Sequence, residues 1–182
     1  MDAIQNHLNI YEDRLCKDLI RQCTSYNILE NKLLESEDID RYWKGVAPEY
    51  LADAVLQVRE YPLVSVAWAA YLGMGVAHLW DTQWAQAQNK PYTEFYGDEG
   101  FDNMDDHIMS RTLGIDIESL HATTLAKIVQ NLARKAVSAI HHENVEPQTK
   151  LAYLLFASTC HVMFRIGAAM ELYRLGYKFE KL

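Results

Sequence analysis

Residues 62–80 read Pro-Leu-Val-Ser-Val-Ala-Trp-Ala-Ala-Tyr-Leu-Gly-Met-Gly-Val-Ala-His-Leu-Trp, nineteen positions without a charged side chain, and Asp81 closes the run. Ser65, Ala69, Gly73 and Ala77 recur every fourth place, which lines small residues along one helical face. Such a face lets a neighbouring backbone approach closely. Leu63, Trp68, Leu72 and Leu79 cover the other directions, so the helix is apolar all round and must be enclosed on every side. The reading is a buried central helix over residues 62–88, fading near Asn89-Lys90-Pro91.

A run of this length also suffices to span a bilayer. Its flanks argue for a core helix instead. Asp53, Arg59 and Glu60 precede it, Asp81 closes it, and neither end carries a Lys/Arg cluster. The mean hydropathy of -0.20 fits a chain that does not enter a membrane.

Around this helix the pattern is helical almost throughout. Ile4, Leu8, Tyr11, Leu15, Leu19, Cys23, Tyr26, Leu29 and Leu33 step by three or four, with Thr24 to Asn27 as a break point. Ser36 is placed as an N-cap, Gly45 as a stop, Pro48 as a first helical position, and Leu51, Val55 and Val58 as an inner face. Asp102 and Asp116 are candidate caps, Gly114 a stop, and Pro147 the opening of the last helix. Only 8 glycines and 4 prolines leave little turn material for an all-β protein. The expectation is one all-α domain over residues 1–182, a bundle of six or seven helices.

Charge and cysteines narrow the function. A net charge of -8 with no basic stripe weighs against nucleic acid. The first fourteen residues, Met1 to Arg14, lack the apolar core of a signal peptide, so a cytoplasmic protein is expected. Cys16 and Cys23 lie about 10 Å apart along one helix, too far for a disulfide, and Cys160 sits in an apolar run. Eleven tyrosines and four tryptophans are many for one modest core, which suggests a homodimer.

Two groups of residues could carry chemistry. His78 and Asp81 share a helical face at i and i+3, where an imidazole and a carboxylate could bind a divalent transition metal. His121 and His161 are the further ligands available from apolar helices. Glu118 and His121 match the E-x-x-H spacing of di-iron bundles, but a second such element is missing. Residues 91–106 hold Glu94, Asp98, Glu99, Asp102, Asp105 and Asp106 without a base, beside Tyr92, Tyr96 and Phe101. The order of these acids does not match a calcium loop. They suit a surface for a basic protein partner, with the aromatics as anchors. No nucleotide, hydrolase or zincin motif occurs. The expected role is therefore binding, by a protein-interaction or ligand-binding module without a cofactor, and the alternative is a metal-dependent helical enzyme at His78 and Asp81.

Overall fold

A computed structural model describes residues 2–58 and 62–182, and all their side chains except those of 56–58 and 62. Arg59 and Glu60, the charges that flank the apolar run, lie outside the described residues, as does the side chain of Val58. Among the described residues six α-helices form a single-domain bundle: α1 (Ala3–Ser25), α2 (Glu37–Val58), α3 (Pro62–Ala87), α4 (Met104–His107), α5 (Leu120–His142) and α6 (Lys150–Arg174). Among the described residues there is no strand. One isolated parallel bridge ties Glu35 to Lys181 near the C-terminus.

The apolar run of residues 62–80 becomes α3, which packs most extensively on α6. The two helices run in the same direction, with Ala70 against Gly167, Gly73 against Phe164 and His78 against Glu171. Two glycines permit the closeness. A Cβ on Gly73 would overlap the Phe164 carbonyl oxygen and stand 2.8 Å from the Ala168 nitrogen, and one on Gly167 would overlap the Ala70 carbonyl. Ser65, Ala69 and Ala77 are fully buried on the same stripe. Both helices are long and apolar enough to cross a membrane by length and composition, yet most of each is buried inside the bundle. The expected buried central helix is α3, and α6 is the helix packed most extensively on it.

The other helices cover this pair. Leu8, Tyr11, Leu15, Leu19 and Cys23 form the buried stripe of α1, Asp2 caps its start, and Asn27 at φ 61° lies just beyond its end. Tyr11 donates to or accepts from Thr159 of α6 at 2.6 Å. Cys16, Cys23 and Cys160 are buried free thiols, and burial pushes the Cys23 thiol up to about 12. Tyr11, Tyr42, Trp43, Tyr50, Tyr71 and Tyr92 are buried within the single chain, which weakens the aromatic surplus as an argument for a homodimer.

Several helix boundaries differ from the sequence expectation. Ser36 does accept the Asp38 N–H at 3.2 Å at the head of α2. That helix, however, continues through Gly45 and holds Pro48 in its interior, so neither marks an end. Tertiary burial of Tyr42, Trp43, Tyr50 and Ala54 on one continuous face outweighs the N–H that proline lacks. The caps of α5 and α6 are Ser119 and Thr149, whose hydroxyl oxygens accept from Ala122 and Ala152. Asp116 receives the Glu118 N–H just before α5 begins, and Pro147 stands outside α6. Asp102 caps nothing.

Candidate functional site

Two local irregularities shape one end of the α3–α6 pair. The helix α3 loses helical geometry at Gln83 (φ -158°, ψ 49°). Short 3-10 turns then lead to α4, which opens into a π turn over Ile108–Thr112. The Leu113 N–H bonds the Ile108 carbonyl at 2.9 Å, an i to i+5 link. Turns of this kind recur at functional sites. Here the two irregular segments face each other across a pocket of about 240 Å³ whose wall includes His78, Gln83, Lys90, His107, Arg111 and Thr112.

His78 enters this pocket already fixed. Its Nδ1 lies 2.9 Å from Oε2 of Glu171, a carboxylate only 2% exposed. Arg174 clamps the same carboxylate with two bonds, Nε to Oε1 at 2.5 Å and a terminal nitrogen to Oε2 at 2.7 Å. A carboxylate so held only accepts, so Nδ1 of His78 carries the proton and Nε2 is left free. His107 repeats the arrangement, its Nδ1 donating to the Phe95 carbonyl at 2.9 Å. Gly97 lies against that ring at φ 64°, and a Cβ there would stand 2.8 Å from Nε2 of His107. Glycine at this position lets the loop pack against that ring edge.

Arg111 lies four residues beyond His107, on the same helical face. It is exposed and makes no hydrogen bond or ion pair with another described residue. Lys90, at the rim, is 3.8 Å from Glu94. The pocket therefore gathers two oriented imidazoles, a guanidinium without a protein partner among the described residues, and the Lys90 ammonium paired with the Glu94 carboxylate, which also lines it.

Three of the four residues considered as metal ligands have other partners or surroundings than the pocket of His78. Asp81 receives the Tyr177 hydroxyl at 2.5 Å and does not line the pocket of His78. His161 stacks on Trp43 (centroids 6.0 Å apart, planes at 12°) with Nδ1 3.4 Å from Glu12. His121 is exposed beside a separate cavity of about 210 Å³ next to Arg174. Among the described residues no group of three or more His, Cys, Asp or Glu side chains could hold a metal ion. Arg165 pairs with Glu35 at 3.4 Å.

The acidic segment divides. Tyr92 is buried and its hydroxyl donates to Asp53, so it anchors the segment to α2 and offers nothing to a partner. Tyr96 and Phe101 are half-buried against Tyr92 and Tyr50. Glu94, Asp98, Glu99, Asp102 and Asp106 are exposed. Asp105 is half-buried in a cleft of about 440 Å³ with Trp68, Tyr71, Asp106 and Lys127, and burial raises its carboxyl to about 6.

Sequence reasoning found His78 but missed Glu171, Arg174, His107 and Arg111. The available signals were Glu171-x-x-Arg174 in an apolar helix and His107-x-x-x-Arg111, both ordinary helical spacings. No family model, no curated protein and no solved structure matches this chain.

Proposed function

We propose that this protein binds a small anionic ligand, one presenting a phosphate or carboxylate group, in the pocket of His78, His107 and Arg111. One observation carries the reading: an unpartnered guanidinium stands in the same small pocket as two imidazoles whose Nδ1 atoms are already committed to protein acceptors, among the described residues. Arg111 would supply the forked donor that suits such oxyanions, the free Nε2 atoms would accept from a P–O–H of a protonated phosphate, and Lys90 would add charge at the rim. The surrounding acids favour a compact ligand, because the field outside the pocket repels an extended polyanion.

Calorimetry with inorganic phosphate, and separately with acetate, tests the reading. Wild type should bind at least one of them, and Arg111→Ala should weaken that binding about tenfold, the effect of losing one charge-assisted contact of about 1.4 kcal/mol. Equal binding by the variant, or none by wild type, overturns it.

A second reading rests on Asp105. Its half-buried carboxylate has no cation paired with it among the described residues, and Trp68 and Tyr71 stand beside it. That cleft suits the basic side chain of a partner, held by charge and cation–π contact. Trilysine should change Trp68 fluorescence in wild type and not in Asp105→Asn/Asp106→Asn.

A further inference from the structure

A further cavity lies elsewhere, between α2, α3, α5 and α6. Its volume is about 740 Å³, within the range of small-molecule sites. Val55, Val66, Val137, Ile140, Leu155 and Phe156 supply apolar walls. Val55 and Tyr153, also in the lining, are large apolar side chains left 37% and 44% exposed.

Polar groups collect on one side, in the turn from α5 to α6. His141, Asn144 and Gln148 line the cavity there, and their side chains make no hydrogen bond to another described residue. Asn144 and Gln148 hold φ of 51° and 64°, a backbone region uncommon for residues other than glycine. No aspartate or glutamate among the described residues lines the cavity, on a chain that carries 25 of them. The nearby Glu143 is engaged by Arg14 at 2.5 Å and His7 at 3.3 Å.

From this charge pattern we infer a second ligand site, independent of the anion pocket, for an alkyl carboxylate. The chain lies along the valine, isoleucine, leucine and phenylalanine wall, and the carboxylate meets the side-chain N–H groups of His141, Asn144 and Gln148. Three exposed donors without a protein partner, and no acid among the described lining residues, complement a single negative head group.

Calorimetry of the full chain with butanoate, hexanoate, octanoate and dodecanoate tests the site. Each added methylene should tighten binding about fourfold until the cavity is full, the ratio that corresponds to about 0.8 kcal/mol per buried methylene. Ala152→Phe, which places a ring in the cavity, should abolish octanoate binding, with circular dichroism as the check on folding. His141→Ala/Gln148→Ala, at exposed positions, should weaken octanoate about tenfold and leave octanol unchanged. Arg111→Ala should bind octanoate like wild type. Absence of the chain-length trend overturns the inference, as does loss of octanoate in Arg111→Ala. A wild-type dimer that Ala152→Phe makes monomeric, with no octanoate bound, also overturns it and assigns the face to a second copy.

Discussion

Glu171 is the side chain on which the anion pocket depends, because it fixes His78 from behind without lining the pocket itself. Its burial is tolerable only because Arg174 and His78 together satisfy both oxygens. Glu171→Leu should destabilise the fold by about 1 kcal/mol in urea unfolding, because half-buried His78 loses the acceptor of its Nδ1–H while exposed Arg174 returns to water. Phosphate affinity should fall in the same variant, although no direct contact is removed. Asp105 acts in the opposite sense. Its carboxyl titrates near 6 in the fold against an ordinary value of 3.8, so between those limits the folded chain holds more protons than the unfolded one. Stability therefore falls as pH rises from about 4 to about 6, and the full penalty remains above that. Asp105→Asn should raise the melting temperature at pH 8 and leave it unchanged near pH 3.5. A variant that gains nothing at pH 8 would show that water screens this carboxylate fully.

Helix packing was the part most legible in the residues. The four-residue stripe through Ser65, Ala69, Gly73 and Ala77 marked a close crossing, and the crossing exists, with Gly167 of α6 as its unforeseen counterpart. Gly73→Ala should cost about 1–3 kcal/mol or more, because its methyl meets backbone that cannot turn aside. Gly45→Ala is the matched control: nothing lies within 4 Å of its Cβ, and the helical position should gain about 0.5–1 kcal/mol. Denaturant midpoints of the two variants should move in opposite directions. Proline was the least legible signal. Pro48 and Pro147 read as helix starts from local preference alone, whereas the burial of α2 and the Thr149 cap decide where helices begin. The π turn at Ile108–Thr112 had no signature in the residues, since its extra residue is a matter of backbone packing against α3.

At the level of the assembled bundle, the site was only half visible in the chain. His78 stood out because it ends an enclosed helix. Its partners come from positions far along the sequence, and ordinary spacing gave no reason to single them out. Asp81 turns to the C-terminal tail and His161 to Trp43, directions that depend on tertiary contacts. His78 and His107 instead line one pocket, each with a protonated Nδ1 and a free Nε2. Imidazole ¹⁵N–¹H correlation spectra during titration with inorganic phosphate, at constant pH, test this most directly. The neutral forms of His78 and His107 should be Nδ1–H tautomers, with phosphate-dependent shifts at their Nε2 atoms. His142, which lies outside the pocket with Nδ1 on the Ser138 carbonyl, should not respond. Shifts absent from His78 and His107, or equal at every histidine, would contradict the anion-binding pocket.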